Sequence, residues 1–271
     1  MIRKASAPAA REDESPAQLN TARWSKGDLV DVYASRRLRP VEAALIDRYR
    51  TSLGGRVLEL GCGAGRLTGH LSEISPNVHG IDLSPAMIAY CQRTYPRASF
   101  AVGDLRDLSG FQTGAYDAVV APFNVLDVLG DAERRQVLGD IGRLMAPDGL
   151  LIMSSHNRHY ALHPLTRIRL WIRLWLGSPR RPLTSLRNLP LRFANRRRLG
   201  KLQRVEDGYS IVNDEAHDFS VLHYYISRDA QERQLIDLGY TLIECLDLHA
   251  ADVQRGESAA HCSELHYVAR H

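Results

Sequence analysis

The sequence predicts an α/β protein built on a doubly wound, seven-stranded, mostly parallel sheet. Short apolar segments alternate with helical segments between residues 56 and 155, and a glycine-rich turn joins the first strand to the helix that follows it. The alternation returns at residue 228, after an interruption of about seventy residues. Strands and helices that alternate in this way form a parallel sheet covered on both faces. A length of 271 residues suits one large domain that carries an insertion.

Seven apolar segments are expected to form the strands. The first starts at residue 56 and enters the glycine-rich turn, and the others lie at 77–82, 98–104, 116–123, 149–155, 240–247 and 264–270. A polar loop separates the last two, as in an antiparallel hairpin at a sheet edge, so the last strand is expected to run antiparallel. A further strand at 218–227 is expected outside the main sheet, with His223 and Tyr225 on one of its faces.

Helices are expected between the strands. Ser84 supplies an N-cap and Pro85 the first helical position of one of them. A long helix over 28–53 contains Pro40, which marks a break or a new start. The other helical segments lie at 66–74, 132–145, 165–177 and 228–239.

The charge of the chain is unevenly distributed. Hydrophobic residues make up 44% of the chain and charged residues 24%, which excludes the disordered, collagenous and coiled-coil classes. The net charge is +4, but thirteen of the 35 Lys and Arg residues lie between 149 and 205, where no Asp or Glu occurs. The rest of the chain has 22 basic and 31 acidic residues, a net charge of −9. A cationic segment is therefore inserted after the fifth strand of an acidic body.

The cysteines and the N-terminus predict a reduced, cytoplasmic protein. The four cysteines have neither the CxxC spacing of a zinc site nor the density of a disulfide framework. Residues 1–27 are polar, lack the apolar core of a signal peptide and are expected to form a flexible tail. The chain contains no run of 18 apolar residues, so no transmembrane helix is expected.

Acidic residues close the first three predicted strands around the glycine-rich turn. A dinucleotide-binding fingerprint would need a small residue where Arg66 stands, and Glu59 would repel a pyrophosphate but suits a ligand with an ammonium group. Asp82 ends the second strand, where its two oxygens can accept hydrogen bonds from ribose hydroxyls. Asp104 ends the third, where its carboxylate can accept from an adenine amino group while the Leu105 N–H serves a ring nitrogen. The alternative for the glycine-rich turn is a tight turn that binds no ligand. The alternative for Asp82 and Asp104 is that they only cap a helix or a turn.

Five motifs together resemble the class I S-adenosylmethionine-dependent methyltransferases. They are VLELGCGAGRLT (57–68), GIDLSPAMI (80–88), VGDLRDL (102–108), YDAVVAPFNVLDVL (116–129) and LMAPDGLLI (144–152). The resemblance covers about residues 40–155 and the last two strands. It implies S-adenosyl-L-methionine as the cofactor and requires no metal. It also implies a set of cofactor contacts: Glu59 at the amino group; Gly61, Gly63 and Gly65 along the methionyl end; Asp82 at the ribose; Leu83, Asp104 and Leu105 at the adenine; Phe123 and Asn124 at the sulfonium; and Tyr33 over the carboxylate.

A general base is expected directly after the fifth strand. The carboxyl ends of strands in a doubly wound sheet face the ligand crevice, which places His156 near the chemistry. His156 is the first candidate for the catalytic base, and His159 and Tyr160 are the reserves. A histidine that only hydrogen-bonds within a loop is the alternative. Asp127 is expected to cap a helix instead.

The cationic insertion admits four interpretations. The predicted helix over 165–177 places apolar residues with two tryptophans on one arc, with arginines beside it, and could contact an anionic membrane surface or a lipid-linked substrate. The arginines could instead bind the phosphates or carboxylates of an acidic acceptor. Alternatively, they could form salt bridges to the acidic body while the apolar stripe of the helix packs on that body. Nucleic acid is the least favoured partner, because the basic run lacks interleaved aromatic residues.

Together these features predict three segments and one function. Residues 1–27 form the tail, residues 28–155 and 228–271 the cofactor-binding domain, and residues 156–227 a basic helical cap that binds the acceptor. The expected function is methyl transfer from S-adenosylmethionine to an oxygen or nitrogen of a small molecule, in one interpretation an acidic one. The alternatives are a methyltransferase for a lipid or lipid-linked acceptor, and a non-catalytic sensor or assembly protein that binds the cofactor.

Overall fold

A computed structural model describes residues 16–24, 30–176 and 187–271. In these ranges ten strands form one mixed sheet. They are β1 (Arg56–Leu60), β2 (Asn77–Asp82), β3 (Ser99–Val102), β4 (Tyr116–Ala121), β5 (Met145–Asn157), β6 (Arg204–Val205), β7 (Tyr209–Val212), β8 (His223–Ile226), β9 (Thr241–Leu246) and β10 (Glu264–Arg270).

Helices connect the strands and cover the sheet. In the described residues they are α1 (Pro16–Trp24), α2 (Val30–Ala34), α3 (Pro40–Arg48), α4 (Thr68–Ile74), α5 (Pro85–Thr94), α6 (Asp131–Leu144), α7 (Arg158–Leu162), α8 (Pro164–Leu176), α9 (Leu189–Leu199) and α10 (Arg228–Asp237). Ser84 caps α5 as predicted, and its hydroxyl accepts a hydrogen bond from the Met87 N–H at 3.4 Å. Pro40 begins a new helix, so the predicted helix over 28–53 is divided into α2 and α3.

The seven predicted strands are all present and form a doubly wound sheet. Strands β3, β2, β1, β4 and β5 lie side by side and run parallel. Strand β10 then pairs antiparallel with β5, and β9 pairs antiparallel with β10. The chain leaves β1 toward β2 on one side and returns to β4 on the other. A crevice for ligands is expected at the carboxyl ends of the strands at this switch point.

The predicted extra strand does not lie outside the main sheet. The last two residues of β5, His156 and Asn157, pair in parallel with Tyr225 and Ile226 of β8, and β7 and β6 continue the sheet from there. Strand β5 is thirteen residues long and its ladder with β4 ends at Met153. The polar backbone groups beyond that point need partners, and β8 supplies them.

The core occupies both faces of the parallel strands. Leu58, Leu60 and Val119 belong to the cluster on one face. Val57 and Val120 belong to the cluster on the other. Side chains alternate between the faces of a strand, so strands buried on both sides need continuous apolar sequence. The alternation places Val57 and Leu58, and likewise Val119 and Val120, in opposite layers of the core.

Part of the predicted tail is helical. Residues 16–24 form α1, whose buried Asn20 donates to the Leu222 carbonyl at 2.7 Å and to the Val128 carbonyl at 2.9 Å, and accepts from the Leu222 N–H at 3.0 Å. These long-range bonds hold a helix whose own sequence is polar, and therefore the tail prediction is wrong for residues 16–24. Residues 1–15 lie outside the described residues. None of the helices that the structure describes has the length and apolarity needed to cross a membrane.

Candidate active site

A cavity of about 360 Å³ opens at the carboxyl ends of the parallel strands, and this volume is typical of small-molecule sites. Most of the predicted cofactor contacts line it, together with residues that the sequence did not single out. The predicted residues in its wall are Tyr33, Glu59, Gly61, Gly63, Asp82, Leu83, Asp104, Leu105, Phe123, Asn124 and His156.

The glycine-rich turn after β1 leaves room for a ligand at one glycine. Gly61, Gly63 and Gly65 all have positive φ angles, of 64°, 54° and 75°. A Cβ on Gly63 would meet no atom within 4 Å, so this residue borders open space. A Cβ on Gly61 would overlap the Val125 side chain, whereas one on Gly65 would overlap the Tyr95 ring. Gly61 and Gly65 therefore serve packing, and Gly63 lets the backbone face the cavity.

Glu59 is a buried carboxylate in the cavity wall. It is 1% exposed and accepts a hydrogen bond of 2.5 Å from the Thr68 hydroxyl. Burial raises the pKa of Glu59 to about 7, while the Thr68 hydrogen bond and the Arg66 charge act to lower it. A cationic group bound beside Glu59 would favour the ionised form, because it would provide the missing counter-charge.

Asp82 joins the end of β2 to the glycine-rich turn. Its Oδ2 accepts from the Gly63 N–H at 2.9 Å and its Oδ1 from the Ser84 N–H at 2.8 Å. Burial raises the pKa of Asp82, whereas these two backbone bonds act to lower it. Each carboxylate oxygen has a second lone pair, so both can still accept from hydroxyl groups of a ligand.

Asp104 is held by its neighbour Arg106. Their side chains form a bidentate pair, with Arg106 Nε 3.0 Å from each Asp104 oxygen and Nη2 2.6 Å from Oδ2. The hydrogen bonds from Arg106 lower the pKa of Asp104, which favours its charged form. Asp104, Leu105 and Arg106 all border the cavity beside Leu83.

Phe123 and Asn124 form a strained turn directly after β4. Their φ angles are 57° and 58°, in the left-handed region that residues with a Cβ rarely adopt. The Asn124 N–H donates to the Ser154 hydroxyl at 2.8 Å, and its side-chain amide donates to Glu264 at 3.0 Å. These bonds fix Asn124 in the cavity wall. They also keep the strained conformation in place.

A cluster of arginines surrounds the Phe123 ring. The guanidinium carbons of Arg36, Arg39 and Arg66 lie 4.6, 4.4 and 5.3 Å from the ring centroid. Arg39 pairs with Glu264, and Arg66 pairs with Glu42 through hydrogen bonds of 2.5 and 2.6 Å. Arg36 and Arg39 were not among the predicted cofactor contacts. The run of basic residues after Tyr33 was the available signal for them.

Aromatic residues from the N-terminal helices cover the cavity. Tyr33 of α2 lies edge-on to Phe123, with ring centroids 6.2 Å apart, and to Trp24 of α1 at 6.4 Å. Trp24 also contacts the His217 ring at 4.9 Å. Burial lowers the pKa of His217 to about 4, aided by the Arg23 charge, so this cavity imidazole is neutral at pH 7. Trp24 was missed because it lies in the predicted tail.

His156 reaches the cavity and is held by Asp127. The Nδ1 atom of His156 lies 2.8 Å from Asp127 Oδ2, and its backbone N–H donates to the same oxygen at 2.6 Å. A carboxylate only accepts, so Nδ1 carries the proton and Nε2 remains the acceptor nitrogen. The Ser155 hydroxyl also donates to Asp127, at 2.7 Å. The prediction that Asp127 caps a helix is wrong: it is fully buried, and Gly130 is the N-cap of α6.

A second histidine–aspartate pair faces the first. The Nδ1 atom of His223 lies 2.7 Å from Asp214 Oδ2, and the Tyr225 hydroxyl donates to the same oxygen at 2.8 Å. The His223 and His156 rings are stacked with centroids 5.1 Å apart. Burial lowers the pKa of His223 but the Asp214 carboxylate raises it more, so the net shift is upward. The predicted strand face with His223 and Tyr225 thus packs against His156.

The two reserve candidates lie away from the cavity. His159 is exposed on α7, and its N–H donates to the Asn157 side chain at 3.0 Å. The Tyr160 hydroxyl accepts from Arg169 at 3.2 Å. Neither residue belongs to the cavity wall, whereas His156, His217 and His223 do.

The residues of the cavity fit the expected cofactor. Glu59 can accept hydrogen bonds from an ammonium group, and Arg36, which lies over the Phe123 ring, offers positive charge for a carboxylate. Two buried polar atoms in the wall, Trp24 Nε1 and Asn124 Oδ1, have no hydrogen-bond partner in the described part of the chain. A polar ligand would satisfy such atoms. Asp82 and Asp104 would then hold its ribose and adenine.

Comparisons with known proteins agree with this geometry. A family described as a methyltransferase domain matches residues 57–149. The ubiquinone biosynthesis O-methyltransferase of Xanthomonas oryzae pv. oryzae is 29% identical over 125 residues, which are 45% of this chain and 51% of that protein. YqeM of Bacillus subtilis is 31% identical over 121 residues, 43% of this chain and 46% of that protein. The match therefore spans about half the length of these curated relatives.

Solved structures share the fold over most of the chain. The 1,6-didemethyltoxoflavin-N1-methyltransferase of Burkholderia thailandensis, solved with 1,6-didemethyltoxoflavin and S-adenosylhomocysteine bound, has a TM-score of 0.60 at 17% identity and covers 98% of this chain and 92% of its own. CalS10, an amino pentose methyltransferase from Micromonospora echinaspora solved with S-adenosylmethionine, has a TM-score of 0.53 at 19% identity and covers 89% and 94%. At these identities the likeness shows the fold alone.

The domain match and the shared fold indicate the same class of protein. Residues 57–149 match a methyltransferase domain, and the chain shares the fold of S-adenosylmethionine-dependent methyltransferases. The predicted fold class is confirmed.

Proposed function

We propose that this protein transfers a methyl group from S-adenosylmethionine to a hydroxyl oxygen or an amine nitrogen of a small molecule, with His156 as the general base. The observation that carries the proposal is that His156, which lines the cavity together with Phe123 and Asn124, is paired with the buried Asp127. The bound cofactor supplies an electrophilic methyl group on a good leaving group. The protein then has to orient the acceptor and remove its proton.

The two members of the pair have separate roles. His156 accepts the acceptor's proton at Nε2, because Asp127 keeps the other ring nitrogen protonated. Asp127 stabilises the imidazolium that forms, and the hydrogen bond from Ser155 keeps this carboxylate in place. His156 is thus the catalytic residue and Asp127 the positioning residue. A hydroxyl arrives protonated at neutral pH, so it benefits most from such a base, and the name of the Xanthomonas relative also favours oxygen.

We assign acceptor binding to the predicted cap, residues 156–227. His156, His217 and His223 come from this segment and line the cavity. None of its described arginines lines the cavity, and some of them bond within the cap, as Arg192 does with Asp218 and Arg196 with Asn213. This pattern favours an acceptor recognised by imidazole and aromatic rings over one recognised by the arginines of the insertion.

Methyl transfer from radiolabelled S-adenosylmethionine to a cell extract tests the proposal, with product size and solvent partition recorded. We expect label in a small product that is not confined to the lipid phase. The rate of transfer should fall by at least 100-fold for His156→Ala. His70→Ala, on the exposed face of α4, is the matched control. Label confined to the lipid phase would show that the acceptor is a lipid and would contradict a small-molecule acceptor. Tight S-adenosylhomocysteine binding without any transfer would show a non-catalytic protein.

A turnover of His156→Ala within a few-fold of the wild type would remove His156 as the base. His159→Ala and Tyr160→Phe, measured in the same assay, then decide whether one of the reserve residues takes that role.

A further inference from the structure

Helix α8 presents an apolar face to solvent. Six large apolar side chains of this helix are between 50% and 69% exposed: Leu165, Ile168, Trp171, Ile172, Trp175 and Leu176. At 100° per residue they share one arc of the helix surface. A cluster of this size, with two tryptophans in it, is uncommon on the surface of a protein without a binding role for it.

The opposite side of α8 anchors the helix to the protein. Leu174 is buried, and Arg192 of α9 donates to the carbonyl oxygens of Arg173 and Leu174 at 3.0 and 3.2 Å. Among the described residues, the Trp175 ring of this arc contacts the Phe193 ring, with centroids 4.9 Å apart. The helix is therefore held in place by one side while its apolar face points away from the core.

The charge around the apolar face is positive. Arg167 and Arg169 are exposed on the two sides of the arc, and no Asp or Glu occurs between residues 149 and 205. A second copy of this chain would bring the same cationic surface against it, so self-association through this face meets like charges. The six apolar side chains at its centre offer nothing to the phosphates of a nucleic acid. A surface that combines negative charge with an apolar interior complements both features.

We infer that α8 is a docking surface for an anionic lipid bilayer. A helix of thirteen residues is about 20 Å long. It would lie in the plane of the membrane with its apolar arc at the boundary between headgroups and acyl chains. Tryptophans are enriched at this depth, and arginines beside the arc would contact anionic headgroups. The inference is independent of the proposed methyl transfer, because it rests on a surface outside the cavity.

Co-sedimentation with vesicles tests the inference directly. The probes are vesicles of phosphatidylcholine with phosphatidylglycerol in equal parts, and vesicles of phosphatidylcholine alone. We expect the full chain to bind the anionic vesicles at low salt, with a blue shift of tryptophan emission, and to be released at high salt. Trp171→Glu should weaken this binding by at least ten-fold. Arg167→Gln should weaken it by about five-fold, since each basic residue near the surface contributes about 1 kcal/mol.

Ile236→Glu is the matched control, because Ile236 is an exposed apolar residue of α10, 56% exposed. It should bind vesicles as the wild type does. Calorimetric titration with S-adenosylhomocysteine confirms that each variant is folded, whatever its activity. Equal binding to both kinds of vesicle, no binding at low salt, or unchanged binding of Trp171→Glu would each overturn the inference. A vesicle-free dimer that Trp171→Glu converts to a monomer would also overturn it, because the face would then join two copies.

Discussion

The Oδ2 atom of Asp127 accepts two hydrogen bonds from His156, one from the backbone N–H at 2.6 Å and one from ring Nδ1 at 2.8 Å. A single buried carboxylate therefore fixes both the end of β5 and the orientation of the imidazole. Asp127 itself has further donors in Ser155 and in the fully buried Arg134, 3.4 Å away. Four donors therefore converge on one buried carboxylate and hold it in a single position.

Replacing Asp127 by Asn should lower kcat by at least 100-fold. An amide can hold the ring in the wrong tautomer, and it cannot stabilise the imidazolium that forms. Initial rates with S-adenosylmethionine, measured beside S-adenosylhomocysteine affinity, separate catalysis from cofactor binding. Asp140→Asn, a partly exposed site on α6, is the control. Thermal unfolding shows whether the Asp127→Asn variant is folded. A folded variant that turns over at the wild-type rate would contradict the role of Asp127.

The pair of His223 and Asp214 should make stability depend on pH. The pKa of His223 is raised in the folded state, because the Asp214 carboxylate outweighs the effect of burial. The stabilisation is therefore full below the unfolded pKa of about 6.5 and is lost as the pH rises through the folded pKa. Asp214 behaves oppositely: its pKa is lowered by the His223 charge despite burial, so its contribution is lost at acid pH.

Thermal unfolding between pH 6 and pH 9 measures this effect. The wild type should lose stability over this range, and His223→Gln should lose less, since it has no proton to release. His249→Gln, in the loop after β9, is the control and should follow the wild type. Parallel curves for wild type and His223→Gln would exclude a titrating His223.

The affinity for S-adenosylhomocysteine should increase as the pH rises from 6 to 8. Burial raises the pKa of Glu59 to about 7 in the free protein, and an ammonium group bound nearby favours its ionised form. Binding below pH 7 should therefore release a proton. Calorimetry in buffers of different ionisation enthalpy counts that proton directly.

Glu59→Gln should weaken this affinity by about 10- to 100-fold and remove its pH dependence, because a hydrogen bond to a charged group contributes about 1.5–3 kcal/mol. Glu73→Gln, exposed on α4, is the control. An unchanged pH dependence in Glu59→Gln would mean that another group titrates on binding.

Alanine at Gly63 and at Gly61 should have different effects. Both residues have positive φ, which costs an alanine about 1–2 kcal/mol. A Cβ at Gly63 enters open space in the cavity, so Gly63→Ala should remain folded but bind S-adenosylhomocysteine at least ten-fold more weakly. A Cβ at Gly61 overlaps Val125, so Gly61→Ala should lose about 3 kcal/mol or more of unfolding free energy. Equal affinities for Gly63→Ala and the wild type would place the ligand elsewhere.

The fold could be predicted because its signals are local in the chain. Each strand is an apolar segment of a few residues followed by a turn, and Ser84 with Pro85 marks the start of a helix within two positions. Glu59, Asp82 and Asp104 each close a strand, so their common place at one edge of the sheet follows from the parallel arrangement. These parts of the cavity required no knowledge of distant contacts.

The rest of the cavity could not be predicted because its contacts join distant residues. Helix α1 is held by Asn20, whose partner Leu222 lies 202 positions away. Asp127 meets His156 across 29 positions, and nothing near Asp127 distinguishes it from a helix cap. The pairing of β8 with β5 depends on β5 extending beyond β4, a length that a pattern of apolar residues does not fix.

The sequence by itself determined the order of the strands along the chain, the glycine-rich turn and the acids of the cofactor site, since each of these depends on neighbouring residues. Only the tertiary structure decided which histidine is paired with a buried carboxylate, and which side of the cationic insertion is exposed. His156 and His159 are three positions apart and alike in sequence, but only His156 lies beside Asp127 in the cavity wall. The sequence pattern of α8 is equally compatible with an apolar arc that is buried in the core. Its exposure follows from the packing of Leu174 and Arg192 on the opposite side.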